Sequence, residues 1–367
     1  MKIAFIGQKG IPAKSGGVDR HVESLAFFLS KKGQEVIVYN RYGYLEKNIR
    51  EWEGIKIISL PFINNKNLAA ITHGFFATVD AVRRRVDVIH YHGIGPCLLA
   101  WIPKLIRPKI KVVATLHSFD YGNDKWGVFA KFMLKLGEKM MTKYADQVIV
   151  LTSLMRDYLY QRHGRDCIVI PNGAYIQVDY GTENLKQFNL EPKKYIVSVS
   201  RLIRLKGIQY VIEAFKNLQA DGKIDKSLKL VIVGDGEYQT KLQELAGLDK
   251  NIIFTGNQSG VILSQLYNQA TLFIQSSEME GLSISLLEAM AYGLPILASD
   301  IFANHEAAGG TALYFNSKDV PDLSFKLEKI LNDSVEAESM GLAAKHRAES
   351  DFNWEKISEE TIKVYKK

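Results

Sequence analysis

The sequence predicts an α/β protein built from two doubly wound halves, each with a parallel sheet. Three observations carry this. Short Val- and Ile-rich runs alternate with amphipathic helical runs along all 367 residues. The apolar runs are near-continuous rather than alternating, as expected of parallel strands covered on both faces. The alternation pauses once, over the polar stretch 176–192 with Gly181 and Pro192, and then resumes. The length suits two or three domains. A hydrophobic fraction of 47% is ample for buried cores.

In the first half the expected strands are KIAFIG (2–7), EVIVYN (35–40), IKIISL (55–60), DVIHYH (87–92), KVVATL (111–116), QVIVL (147–151) and CIVIP (167–171). Helices fit between them, as at 18–32 and 127–144. After PNGAY (171–175), residues 176–192 read as an interdomain linker. The second series is YIVSVS (195–200), LKLVIVG (228–234), NIIFTG (251–256), TLFIQS (271–276), PILAS (295–299) and TALYF (311–315). Residues 334–350 and the terminal NWEKISEETIKVYKK read as two further helices. No short-period repeat interrupts the pattern.

Charge and composition narrow the function. Residues 1–180 hold 26 Lys+Arg against 15 Asp+Glu, a net of +11, while residues 181–367 hold 21 against 25, a net of −4. A basic first half points to an anionic partner, with nucleic acid and an anionic membrane as candidates. Cys97 and Cys167 form no CxxC pair and imply neither a disulfide framework nor a zinc site. Lys2 is followed at once by the strand-like IAFIG, so no secretory signal is expected. No apolar run reaches the roughly 18 residues that span a bilayer. A cytoplasmic protein is expected, with association at the inner face of a membrane left open.

The most informative stretch is SSEMEGLSISLLEAMAYGLPILAS (276–299). Glu280 and Glu288 bracket a helix start, with Gly281 as a turn and Leu282, Ser283 and Ser285 around the first helical turn. A helix N-terminus in a cleft favours anions. Glu288 in an otherwise apolar helix needs a polar partner, and a ribose diol would suit it. The plainer alternative is a core helix whose glutamates bond neighbouring backbone. After YIVSVS, Arg201 and Lys206 flank a strand-end loop and Gly207 opens the next helix, an arrangement suited to a diphosphate. The alternative is solvated surface charge. Gly256, Asn257 and Gln258 follow a strand and offer backbone to a base.

In the first half, GQKGIPAKSGGVDRH is not a GxGxxG fingerprint. Gly16 and Gly17 precede a helix, where backbone can approach a phosphate or sugar; the alternative is a flexible loop. His117 ends the run VVATL and is followed by Ser118, Phe119, Asp120 and Tyr121. A histidine at a strand end suits proton handling or hydrogen-bond donation, although a lone histidine is often structural. His90 and His92 share one strand face, which with His117 could form a metal site. No cysteine or clustered carboxylate joins them, so no metal is expected. Finally, Lys131, Lys135, Lys139 and Lys143 recur every four residues after Lys125, interleaved with Trp126, Phe129, Phe132, Met133, Leu136 and Met140. That is the pattern of an interfacial basic helix, or of a solvated stripe on a helix packed against its own sheet.

These motifs resemble the retaining glycosyltransferases of family 4, which have the GT-B fold. The resemblance rests on SRLIRLKG, VGDG (233–236), FTGN (254–257) and EGLSISLLEAMAYGLPILASD in family order, and on GGVDRHVESLA, DVIHYHG, VATLH and VIPNG in the first half. It covers essentially the whole chain. IGQKGIPAKSGG and KWGVFAKFMLKLGE further resemble bacterial members linked to rhamnosyl transfer in surface-polysaccharide assembly.

The resemblance implies two Rossmann-like domains facing across a cleft. An acceptor-binding domain would span 1–175, rejoined by the helix 353–367, and a nucleotide-sugar domain 193–352. Arg201 and Lys206 would bind the donor diphosphate and Glu288 the ribose. Glu280, with the backbone of Gly281, Leu282 and Ser283, would bind the donor sugar. His117 would sit beside the reacting sugar, and Gly16 and Gly17 would approach phosphate or acceptor. Family members transfer without a bound metal or cofactor. The expected acceptor is a glycan or a lipid-linked sugar. One departure is SIS at 283–285, where the family often has Pro or Phe, which leaves the donor sugar open. Competing readings are an epimerase-like GT-B enzyme on nucleotide sugars and a non-catalytic sugar-binding module. A nucleic-acid binder lacks any supporting motif.

Overall fold

The computed structural model describes residues 1–14, 16–47, 49–65, 68–119, 127–174 and 179–367, without the side chain of Phe129. Asp120, Tyr121, Lys125, Trp126, residues 176–178 of the expected linker and the Phe129 side chain thus lie outside the described part. The chain forms two compact units, Met1–Asn172 with Trp354–Lys367, and Gly173–Asn353.

The first unit is built on β1 (Lys2–Ile6), β2 (Glu35–Arg41), β3 (Glu51–Trp52), β4 (Ile55–Leu60), β5 (Val88–His92), β6 (Lys111–Leu116), β7 (Gln147–Val150) and β8 (Ile168–Val169). Its sheet runs β3-β4-β2-β1-β5-β6-β7-β8. Neighbours are parallel except β3, which forms an antiparallel hairpin with β4. The hairpin turn is Glu53-Gly54, with φ of 49° and 76°, as two-residue hairpins require. Glu-Gly is a weaker signal than Asn-Gly, and this strand was not foreseen. The expected strand 167–171 shrinks to Ile168–Val169. It lies at the sheet edge and runs into Pro171, which has no N–H for a ladder.

Helices α1 (Gly17–Lys31), α2 (Ala69–Arg83), α3 (Trp101–Ile106), α4 (Val128–Tyr144) and α5 (Ser153–His163) belong to this unit. Ile3, Phe5, Val22, Leu25, Leu29, Val36 and Val38 are buried in one core. The terminal helix, Trp354–Lys366, adds Trp354, Ile357, Val364 and Tyr365 to it. The Tyr365 hydroxyl lies 2.7 Å from Nδ1 of the wholly buried His90. Tyr365→Phe would leave that nitrogen unpaired in the interior. It is expected to destabilise the unit by about 1–3 kcal/mol. A urea midpoint unchanged from wild type would contradict this.

The second unit holds β9 (Tyr195–Val199), β10 (Lys229–Val233), β11 (Ile252–Gly256), β12 (Leu272–Gln275), β13 (Ile296–Ser299) and β14 (Leu313–Phe315). All neighbours are parallel, in the order β11-β10-β9-β12-β13-β14. Chain order reverses between β9 and β12, and in the first sheet between β1 and β5. Such switch points open a crevice at the carboxyl ends of the strands. Helices α6 (Ile208–Ala220), α7 (Gln239–Ala246), α8 (Gly260–Asn268), α9 (Ile284–Ala291), α10 (Phe302–Ala308), α11 (Val320–Asn332) and α12 (Ser334–Asp351) complete the unit, and the terminal helix is α13.

Residues 179–192, within the stretch read as a linker, are anchored on α8. Asp179 N donates to Ser264 Oγ at 2.9 Å, and Gln265 Nε2 donates to Asp179 Oδ1 at 2.9 Å and Glu183 Oε1 at 2.6 Å. Leu185 and Leu190 are buried. Only two apolar anchors hold this stretch, so its composition hides its packing.

Candidate functional site

In the second unit, the loop after β9 meets the loop after β12 at the switch point. Gly207 caps α6 with φ 69°. A Cβ there would overlap the Ser276 carbonyl, so only glycine lets the two loops lie this close. Ser276 Oγ donates to the Lys206 carbonyl at 2.8 Å, and Glu278 N to the Leu205 carbonyl at 2.8 Å. The Lys206 ammonium is thereby brought onto the Glu280 carboxylate in an ion pair. Glu280 Oε1 also accepts from Ser277 Oγ at 2.7 Å and Gln275 Nε2 at 2.9 Å. Gln275 and Ser277 are buried. Three donors on one oxygen fix the carboxylate and direct its second oxygen elsewhere. Arg201 is exposed at the start of the same loop and takes no part in this network.

Ser283 is the N-cap of α9, accepting from Leu286 N at 3.3 Å, and Ser285 in the first turn lies 3.0 Å away from it, hydroxyl to hydroxyl. Gly281 and Leu282, just before the cap, are buried. Glu288 is 9% exposed. Its Oε2 accepts from the Tyr267 hydroxyl at 3.1 Å, and Tyr292 stacks on the Tyr267 ring at 5.2 Å. Tyr267 is therefore a polar partner of the kind a carboxyl group in an apolar helix requires. Gly256 closes β11 with φ 70°, and Asn257 beyond it is exposed.

In the first unit, His117 follows β6 and is 8% exposed. His117 Nε2 and His92 Nδ1 are 3.1 Å apart. His21, on α1, packs edge-on to His117 with ring centroids 4.7 Å apart, and its Nδ1 lies 2.8 Å from Asn172 Oδ1. Burial pushes His90, His92 and His117 well below the ordinary imidazole range. It lowers His21 to about 4, with the Asn172 hydrogen bond opposing the shift. All four are thus held uncharged at pH 7, and His117 can donate or accept a hydrogen bond without carrying a charge.

The grouping differs from the His90, His92 and His117 set that strand spacing alone would allow. His90 is taken up by Tyr365 and by Thr115 Oγ1, 2.7 Å from its Nε2, and His21 stands in its place. His21, His92 and His117 each offer a nitrogen within 4.8 Å of the others. Neutral imidazoles are competent ligands. An ion here would have to break the His92–His117 contact, and no thiolate or carboxylate joins the trio among the described residues.

Gly16 precedes α1 with φ 94°, and both Gly16 and Gly17 are exposed. On α4, Lys135, Lys139 and Lys143 are exposed and Lys131 half-buried. Phe132 is 61% exposed, whereas Met133, Leu136 and Met140 are half-buried. Glu138 on the same helix turns inward to His163 Nε2, at 2.6 Å. No helix among the described residues is long and apolar enough to cross a membrane.

Sequence reasoning did not single out His21, Asn172, Tyr267, Gln275 or Ser277. A glutamine closing the apolar run TLFIQ was a usable signal, because a buried amide there must have partners. Tyr267 gave none.

Residues 15–177 match the model of Glycosyltransferase Family 4, and residues 182–347 that of Glycosyl transferases group 1. The chain is 28% identical over 323 residues to the alpha-monoglucosyldiacylglycerol synthase of Streptococcus pneumoniae, covering 81% of this chain and 71% of that one. Among solved structures it resembles sucrose-phosphate synthase from Thermosynechococcus elongatus, with TM-score 0.83 and 22% identity over 100% of this chain and 98% of the other. It also resembles Anabaena HepE in complex with UDP and glucose, with TM-score 0.81 and 18% identity over 99% of each. These neighbours share the GT-B fold.

Proposed function

We propose, on the premise that the chain belongs to the glycosyltransferases of family 4 and group 1 and is a nucleotide-sugar enzyme of the GT-B type, that it transfers a sugar with retention and without a metal. The observation that carries this reading is the Lys206–Glu280 pair at the switch point of the second sheet, beside the N-terminus of α9. On this reading Lys206 and Arg201 hold the donor diphosphate. Glu288 accepts from the ribose hydroxyls. Glu280, with the backbone of Gly281, Leu282 and Ser283, holds the sugar. Gly256 and Asn257 border the base. The first unit takes a glycan or lipid-linked acceptor, with His117 and the Gly16-Gly17 backbone near the reacting groups.

In the reaction the bond from the anomeric carbon to the diphosphate oxygen breaks, and the acceptor hydroxyl bonds to the same face. Its proton passes to the departing phosphate oxygen. Negative charge grows on the diphosphate, where Lys206, Arg201 and a helix N-terminus stabilise it. No pair of carboxylates of the hydrolase kind is needed. Two cations of the chain itself supply the neutralisation that a metal would otherwise give. The HepE complex with UDP makes UDP-sugars the first donors to assay, and the opening segment adds rhamnosyl donors.

The test is transfer from UDP-, dTDP- and GDP-sugars in EDTA, with the product's anomeric configuration read by NMR. Retention and full activity in EDTA are expected. Inversion, or activity restored only by Mg²⁺ or Mn²⁺, would refute the mechanism. Donor conversion without any acceptor would favour the epimerase-like reading.

A second reading rests on α4. Exposed lysines beside the exposed Phe132 suit an anionic membrane surface, which would bring a lipid-linked acceptor to a cytoplasmic enzyme. Each lysine near such a surface is worth about 1 kcal/mol. Binding to anionic vesicles at low salt is expected, weakened when Lys131, Lys135, Lys139 and Lys143 become glutamine. Co-sedimentation indifferent to those four changes would leave a soluble acceptor as the better reading.

A further inference from the structure

A second group of charges lies in the first unit, at the carboxyl ends of β1 and β2. The loop after β1 is tied to β2 and the residues that follow it by several hydrogen bonds. Arg41 N donates to the Lys9 carbonyl at 2.8 Å. Asn40 Oδ1 accepts from Ile11 N at 3.0 Å, and its Nδ2 donates to the Ile11 carbonyl at 2.7 Å. Lys14 N donates to the Tyr44 hydroxyl at 2.7 Å. These bonds bring the Lys9, Lys14 and Arg41 segments to one sheet edge.

Arg41 is the anchor. Its guanidinium is half-buried and lies 5.5 Å from the centre of the Phe62 ring. Its Nε is shut off from solvent without a hydrogen-bond partner. The carboxylate whose charge it feels is Asp19, which is 4% exposed. Asp19 is engaged by backbone, accepting from Lys9 N at 2.8 Å and also from Gly10. Burial lifts its carboxyl to about 6. His73, also beside Arg41, is held neutral by burial. Lys9 and Lys14 are exposed. A guanidinium lying on a ring, with no hydrogen-bond partner for its Nε and with Lys9 acting on the same Asp19 carboxylate, matches a phosphate group.

We propose that Arg41 and Lys9 form an anion subsite in the first unit that receives a phosphate or diphosphate group of the sugar acceptor. The subsite rests on the glycosyltransferase reading above and specifies its acceptor: a phosphorylated molecule, either a lipid diphosphate or a soluble sugar phosphate. The net +11 of residues 1–180 favours capture of such a molecule.

The experiment is calorimetric titration of the whole protein with inorganic pyrophosphate, after saturation with UDP to fill the donor site. Binding to the UDP-saturated protein is expected, weakened about ten- to a hundredfold in Arg41→Gln and less in Lys9→Gln. Lys9 is exposed, so its variant keeps the test open if Arg41→Gln fails to fold. UDP affinity should stay unchanged in both. No binding once UDP is saturating, or binding indifferent to both substitutions, overturns the proposal. Failure of UDP itself to bind would instead count against the glycosyltransferase reading. Parallel titrations with glucose 1-phosphate and farnesyl diphosphate separate the two sources; retention of either one by Arg41 supports the subsite.

Discussion

Lys206→Ala should slow sugar transfer by about two to three powers of ten while leaving the fold intact. The Lys206 side chain is 20% exposed and its ammonium sits on Glu280 at the switch point, where on the proposed reading charge builds on the leaving diphosphate. Loss of one such preorganised donor typically costs about 10²–10³ in turnover. Glu280 keeps Gln275 and Ser277 as partners, so its carboxylate is not stranded. The loss should therefore appear in the single-turnover rate at saturating donor and only weakly in thermal stability. A variant that transfers at the wild-type rate would remove Lys206 from the reaction. A variant that loses rate and melting temperature together would make it a structural residue.

Glu288→Gln is the second substitution with a large expected effect. The carboxylate keeps Tyr267 as a partner in the wild type, and an amide of the same shape can still accept from that hydroxyl. Folding should change little. Binding of a nucleoside diphosphate should weaken by about 1.5–3 kcal/mol, the worth of a charged hydrogen bond to a ribose hydroxyl. Calorimetry with UDP decides it. Affinity equal to wild type would return Glu288 to the role of a core helix group satisfied by Tyr267.

The strands and the split into two sheets were legible because parallel strands covered on both faces leave unbroken apolar runs, as in Ile3–Ile6, each wholly buried. The Glu51–Trp52 strand was not, because an edge hairpin of two residues has no period to read. In the site, Lys206 and Glu280 were legible as strand-end charges, and the structure pairs them. What sequence could not supply was side-chain partnership across long separations. His21 and Asn172 are 151 positions apart, and the placement of His21 beside His117 depends on how α1 docks on the sheet. The segment 179–192 was misleading for the same reason, since its bonds run to α8 about eighty residues away.

The position of α13 has a consequence for the order in which the protein assembles. The second unit is one uninterrupted stretch, Gly173–Asn353, whose ends are neighbours through the Ala174–Asn353 bridge. It can close on itself as soon as it leaves the ribosome. The first unit emerges earlier, yet Trp354, Ile357, Val364 and Tyr365 of its core are synthesised after the whole second unit. Until they arrive, His90 lacks Tyr365 and an apolar groove stays open to other chains. The half made first is thus completed second, and a ribosome stalled within Trp354–Lys367 would leave a finished second unit tethered to an unfinished first.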